Sequence, residues 1–157
     1  VQLLKTDFLD FLFSELESHQ ISPKLIELEI TEFGLLNDIE HAVQVLKKIQ
    51  TKVITIALED FGTGYSSLSY LRELPLNVLK IDKPFIDKVN DESSAELIKT
   101  IIGIAHHLSL GVIAEGVEQA EQVQFLKNLG CEGFQSYYFS RPMLGSELPN
   151  WQFKTTS

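Results

Sequence analysis

The chain has 157 residues and carries 13 Lys and Arg against 22 Asp and Glu, a formal net charge of −9. With 44% hydrophobic and 22% charged residues it has the balance of a folded globular domain, which excludes disorder as its default state. The acid excess argues against a DNA or RNA surface, which needs clustered Lys and Arg. A polyphosphate ligand would then need its charge offset locally, most simply by metal ions. The single cysteine, Cys131, leaves no internal disulfide framework and no cysteine-rich zinc site. No apolar run reaches the roughly 18 residues of a membrane span. The longest stretch without Asp, Glu, Lys or Arg, Thr100 to Ala114, is shorter and holds His106 and His107. No membrane contact is expected of this segment. A cytoplasmic domain is expected, from a parent that can be anchored by a region upstream of Val1.

A short β-branched run ending in a polar residue, followed by a pattern of period near 3.6, recurs along the chain. Thr6 to His19 reads as a helix, Ser22-Pro23 as a turn, and Leu25 to Thr31 as the first strand. Leu36, Ile39, Val43 and Leu46 mark one face of the next helix. Lys52 to Asp60 is the second strand, followed by the turn Phe61-Gly62-Thr63-Gly64 and a short helix over Ser66 to Leu74. Val78 to Asp82 is the third strand. Ser93 and Glu96 form a capping-box pattern opening a helix with the face Leu97, Ile101, Ile104, Ala105 and Leu108. Gly111 to Val117 is the fourth strand, and the helix after it ends near Gly130, a position suited to a left-handed cap. Gly133 to Phe139 is the fifth. Strands alternating with helices predict parallel βα units. The uninterrupted apolar cores of Ile54 to Leu58 and Val112 to Ala114 suit strands covered on both faces.

The polar residues fall at the strand ends. Glu29 lies near the end of the first strand, Glu59 and Asp60 end the second, and Lys80 and Asp82 lie in and end the third. Glu115 and Glu118 flank the end of the fourth, and Gln135 lies in the fifth. In a parallel α/β fold these ends share one face, and in a barrel that face carries the chemistry. Several carboxylates meeting there repel one another unless a hard cation such as Mg²⁺ or Mn²⁺ sits between them. A lysine among them suits the orientation of a water or a phosphate.

Taken singly, each residue also has a plain structural reading. Glu29 can be an exposed strand residue, Lys80 can snorkel from a sheet end, and Glu115 and Glu118 can be acids favoured at a helix N-terminus. Glu59-Asp60 can cap a helix, His106 and His107 can be packing or surface residues, and Cys131 a small buried hydrophobe. Asp60-Phe61-Gly62 matches the kinase metal motif, but no Gly-rich ATP loop or catalytic-loop motif accompanies it.

The motifs taken in order are more specific. They are Glu29-Ile30-Thr31-Glu32, then Glu59-Asp60-Phe61-Gly62-Thr63-Gly64-Tyr65-Ser66-Ser67-Leu68, then Leu79-Lys80-Ile81-Asp82. Ile113-Ala114-Glu115-Gly116-Val117-Glu118 and Phe139-Ser140-Arg141-Pro142 follow. This run closely resembles the EAL-type cyclic-di-GMP phosphodiesterases, bacterial second-messenger signalling enzymes, up to about residue 145. The resemblance implies an incomplete (β/α)₈ TIM-barrel-like domain, with 1–157 as its C-terminal part and about five βα units present. It implies a hydrolase that opens one phosphodiester of cyclic di-GMP, giving the linear dinucleotide, with two metals, Mg²⁺ or Mn²⁺. Glu29, Glu59 and Asp60 match metal ligands, Asp82 a ligand of a second metal, and Lys80 the lysine beside the attacking water. Glu115 matches a further catalytic acid with Glu118 close by, and Gln135 the substrate-side glutamine of the last strand. Glu32 matches the glutamate bracing the loop Asp60, Phe61, Gly62, Thr63, Gly64, Tyr65, Ser66 and Ser67, which in the family links metal, substrate and dimerisation. A homodimer or other oligomer, and a fused cyclase or sensor domain upstream, are expected partners.

Two departures from the family matter. The Glu-Ala-Leu motif and an Asn on the following site-bearing strand, both metal ligands in the family, are not in this sequence. A whole barrel needs roughly 250 residues. The 157 residues alone are therefore expected to be inactive, and their unpaired strand edges to seek a partner chain. The usual Asp-Asp pair is here Glu59-Asp60, and Ser136 stands where the family has Gly. The alternative reading is a degenerate domain that binds cyclic di-GMP or a protein without hydrolysis. An unrelated metal-dependent barrel, such as an enolase-like lyase, uses carboxylates and lysine similarly but does not account for the motif run.

Overall fold

The described residues hold five strands, with helices before the first and in three of the four intervals between them, and every described pairing between strands is parallel. The structure, a computed structural model, describes residues 7–35, 38–61 and 71–152. The predicted turn at Gly62 to Gly64, and the start of the helix predicted after it, lie outside these residues. The chain divides into two units, Val1–Lys80 with His107–Leu110, and Ile81–His106 with Gly111–Ser157.

In the first unit, α1 (Phe8–Ser18) leads through a 3₁₀ turn, Pro23–Leu25, into β1 (Glu27–Thr31). The expected strand starts two residues late because Pro23 fixes its own φ and opens the 3₁₀ turn. Next come α2 (Glu32–Leu35) and α3 (Ile39–Gln50), the latter capped by Asp38, whose carboxylate accepts the His41 N–H at 3.1 Å. Helix α3 buries Ala42, Val45, Leu46 and Ile49, so its core face is rotated from the predicted one. Leu36, part of that prediction, lies outside the described residues.

Strand β2 (Thr55–Glu59) pairs with β1 from Glu27↔Thr55 to Thr31↔Glu59. It pairs on its other side with β3 (Val78–Ile81) at Ala57↔Val78 and Leu58↔Leu79. Ile56, Ala57, Leu58 and Leu79 are fully buried, which is why these strands read as continuous apolar runs. Burial of each large side chain contributes about 1.5–3 kcal/mol. The predicted strand start at Lys52 is corrected to Thr55. Lys52 and Val53 belong to the turn ending α3, with their N–H groups donating to the Ile49 and Gln50 carbonyls. Val53 sits there at φ +63, exposed, a conformation that β-branched residues seldom adopt.

In the second unit, α4 (Lys83–Ile86) follows Asp82 directly, and α5 is the long helix Glu92–His107. Asp91, rather than Ser93, caps the start of α5, because its carboxylate accepts both the N–H and the hydroxyl of Ser94 at 2.9 Å. Those two bonds hold the Asp91 carboxyl below its usual range. Helix α5 buries Ile98, Ile101, Ile102 and Ala105 and leaves Leu97 exposed, a rotation from the predicted face.

Strands β4 (Gly111–Glu115) and β5 (Gly133–Gln135) pair from Ile113↔Gly133 to Glu115↔Gln135, with α6 (Ala120–Asn128) between them in sequence. Gly130, at φ +90, ends the α6 segment as predicted; a Cβ there would stand 2.8 Å from His106 Cε1. Cys131 is buried as expected, and burial pushes its thiol up to about 11. Among the described residues no helix is long and apolar enough to cross a membrane.

Candidate active site

Side chains alternate along a strand, so Glu29 and Thr31, Ala57 and Glu59, and Val78 and Lys80 share one face of the β1–β2–β3 array. Ala57 stands in register between Glu29 and Val78, so only a methyl group separates those positions on that face. Lys80 is fully buried, a rare state for lysine unless it is paired. Its ammonium donates to Glu29 Oε1 and, at 3.4 Å, to Glu59 Oε1. The Lys80 hydrogen bond holds the Glu29 carboxyl below its usual range and outweighs the opposing effect of partial burial.

A carboxylate oxygen of Glu29 and one of Glu59 lie within 4.8 Å of each other. Two carboxylates and one ammonium leave a net negative, oxygen-only donor set, which suits a hard divalent cation such as Mg²⁺ or Mn²⁺. A buried ammonium beside it can donate a hydrogen bond to a water or to a phosphoryl oxygen in the same place.

Asp60 follows Glu59 at φ +58, in the left-handed region that Asp tolerates better than most residues. From sequence the second strand is expected to run through Asp60 with the turn beginning at Phe61; the strand instead ends at Glu59, one residue earlier. Phe61 is buried, and Glu32 is buried at the first position of α2. The other loop residues implied by the resemblance, Gly62, Thr63, Gly64, Tyr65, Ser66 and Ser67, lie outside the described residues.

In the second unit Glu115 and Gln135 are register partners at the ends of β4 and β5. Gly116 follows at φ +67 and donates its N–H to the Gln135 carbonyl at 3.0 Å, so the strand predicted to run to Val117 ends at Glu115. An open cleft of about 690 Å³ lies over these ends, walled by Lys83, Glu115, Glu118, Gln135, Arg141 and Trp151 among others. The Arg141 guanidinium stands 5.5 Å from the centre of the Tyr137 ring. Cations, carboxylates and aromatic faces in one cleft can receive a ligand that has both phosphate and flat rings. The Ser136 hydroxyl, also at this cleft, is buried and has no hydrogen-bond partner among the described residues.

Asp82 lies just past β3 at the N-cap of α4. Two residues of this unit were not singled out from sequence. Lys83 donates to Asp87 Oδ1 at 2.7 Å and to Glu118 Oε1 at 2.8 Å, and these two carboxylates, Asp87 first, raise its pKa. Gln122 is buried, accepts the N–H groups of Glu118 and Gln119 on Oε1, and donates to the Ile86 carbonyl. The Gln119-to-Gln122 spacing fits an N-terminal capping pattern and could have flagged it.

Gly116→Ala should be among the more damaging single changes in this turn. A Cβ at 116 would meet Lys83 side-chain atoms at 2.5 to 2.8 Å, and the left-handed backbone adds about 1–2 kcal/mol. A loss of about 2 kcal/mol or more in denaturant unfolding is expected, and an unchanged midpoint would contradict it.

The EAL domain family model matches residues 1–142. The chain is 43% identical over 143 residues to the signaling protein YkoW of Bacillus subtilis, covering 90% of this chain and 18% of YkoW. It is 42% identical over 129 residues to the cyclic di-GMP phosphodiesterase NbdA of Pseudomonas aeruginosa, covering 82% of this chain and 16% of NbdA. The chain thus spans less than a fifth of the length of these relatives.

A solved structure described as PaMucR phosphodiesterase in complex with c-di-GMP superposes with a TM-score of 0.88 at 35% identity, over 94% of this chain and 60% of that one. The manganese and c-di-GMP complex of Klebsiella pneumoniae BlrP1 superposes with a TM-score of 0.80 at 27% identity, over 88% and 36%. The fold, parallel βα units matching part of a TIM-barrel-like domain, is shared with these structures. With the strand-end acids, the buried lysine and the family match in agreement, the chain belongs to the EAL domain family.

Proposed function

We propose that this chain supplies the catalytic strand ends of a metal-dependent phosphodiesterase that opens cyclic di-GMP to the linear dinucleotide. The observation that carries the reading is Lys80, fully buried, with its ammonium bonded to Glu29 and Glu59. Burying such a group is costly, and replacing buried ion pairs with apolar residues is often neutral or stabilising, so folding alone gives little reason to keep it. Glu29, Glu59, Asp60 and Asp82 would hold Mg²⁺ or Mn²⁺. Bound divalent cations supply activation of water and neutralisation of phosphate charge. Lys80 orients the attacking water by donating a hydrogen bond, and Glu115 with Glu118 beside it serves the proton transfers. Gln135 and the cleft residues hold the nucleotide. The family reading also carries a homodimer formed with the loop from Asp60 to Ser67, a sensor or cyclase domain upstream, and a cytoplasmic setting.

The test is incubation of the intact protein with cyclic di-GMP and Mg²⁺ or Mn²⁺, with chromatography of the products. Linear dinucleotide is expected, and a chelator should abolish it. Binding without turnover would favour the second reading, a receptor, for which the specific observation is Glu59 in place of Asp.

Glu59→Asp separates the two readings further. Glu reaches about 1.5 Å further than Asp, and a displacement near 1 Å can cost about 10²-fold where geometry is critical. Steady-state rates for Glu59→Asp are expected to be unchanged or raised. A clear fall would show Glu59 to be adapted to its site and remove the case for degeneracy.

A further inference from the structure

Contacts made by Lys83 and Gln122 in the second unit converge on the turn between β4 and α6. Gly116 stands at φ +67 with the stem of Lys83 laid across it, so close that a Cβ at 116 would be 2.5 Å from Lys83 Cβ and 2.6 Å from its Cγ. Beyond that crossing the Lys83 ammonium reaches Glu118 Oε1 at 2.8 Å and Asp87 Oδ1 at 2.7 Å. Gln122 accepts the Glu118 N–H at 2.8 Å and the Gln119 N–H at 3.0 Å, and donates to the Ile86 carbonyl at 3.2 Å. Lys83 and Ile86 are the first and last residues of α4. The four-residue helix after Asp82 therefore grips the turn that begins at Glu115 and ends at Glu118.

We propose that Lys83 is a positioning residue, roofing Gly116 with its stem and holding Glu118 with its ammonium, so that the Glu115-bearing turn has one geometry. The proposal rests on the phosphodiesterase reading for its kinetic consequence, though not for its structural one. Lys83 and Glu118 are both open to solvent, at 44% and 62% side-chain exposure, so their ion pair adds little to folding. Its value lies in placement, because displacements near 1 Å at a reacting centre cost about 10²-fold in rate. Lys83 also lines the cleft, which makes direct contact with the ligand the rival account.

Lys83→Met keeps much of the stem and removes the charge. In the intact protein, kcat for cyclic di-GMP is expected to fall about tenfold with KM within about twofold of wild type. Lys83→Arg should recover most of the rate, Glu118→Gln should reproduce the fall, and the double variant should add nothing further. A raised KM with kcat unmoved would make Lys83 a ligand contact, and additive losses would break its link to Glu118; either result overturns the proposal. Amide exchange over Gly116 to Gln119 should quicken about tenfold in Lys83→Met while that of Leu126 stays as it was. Unchanged exchange overturns the proposal as well. This last measurement needs no turnover, so an inactive wild type would refute the phosphodiesterase reading and leave the brace to be decided by exchange.

Discussion

Lys80→Met should lower hydrolysis of cyclic di-GMP by about 10²- to 10⁴-fold, the range associated with losing one positioned proton-handling or orienting group. The same change should leave the melting temperature level or raise it. The physical reason is an asymmetry within the ion pair. Lys80 is fully buried, whereas the Glu29 side chain is 44% exposed and that of Glu59 26%. With Lys80 gone, Glu29 regains water and loses only a partner. Met fills most of the lysine stem's volume and ends the desolvation of an ammonium, the situation in which buried charge is replaced at little or no cost. A variant that loses activity without losing stability would show Lys80 to be retained for chemistry. A large fall in melting temperature with activity intact would show the reverse, and the site assignment would fail.

Much of this arrangement is legible in the sequence because the strand ends coincide with breaks in apolar runs. Glu59, Glu115 and Gln135 are the last residues of β2, β4 and β5, as expected from sequence, and Lys80 lies within β3; Glu29, expected near the end of its strand, is the middle residue of β1. Strand starts were less legible, because β propensity does not distinguish a strand from the turn feeding it. Val53 has the side chain of a strand residue, yet the close of α3 holds it at φ +63. Helix faces shift by one position from the expected ones for a related reason: Leu97 and Ile98 fit the period equally well, and only packing selects Ile98. Lys83 and Gln122 escaped because their partners are carbonyls, amides and a glycine brought near by the fold. No spacing in the chain encodes the crossing of a lysine stem over Gly116.

Glu29→Gln should be as damaging to activity as Lys80→Met but opposite in its effect on stability. Hydrolysis should fall at least about 10²-fold, since the change removes a charged oxygen donor from the hard-cation set. Here the buried partner remains. Lys80 keeps Glu59 at 3.4 Å but loses its nearer carboxylate, and about 1–3 kcal/mol of folding stability is expected to go with it. The loss should depend on pH in a defined sense. The Lys80 hydrogen bond depresses the folded Glu29 pKa below its ordinary value of 4.5, so the native state binds fewer protons than the unfolded chain in that region. The stabilisation is therefore fully present above the ordinary value and fades as the pH falls through the lowered one. Wild type and Glu29→Gln should differ most near neutral pH and converge in acid, where a protonated Glu29 resembles the amide. Adding Lys80→Met to Glu29→Gln should restore part of the lost stability, because the second change removes the buried ammonium whose nearer carboxylate the first took away. Denaturant unfolding of the four proteins at pH 7 and pH 4 measures each of these differences. Equal losses for both single variants, or a gap that widens in acid, would mean that Lys80 and Glu29 do not form the pair on which the site is built.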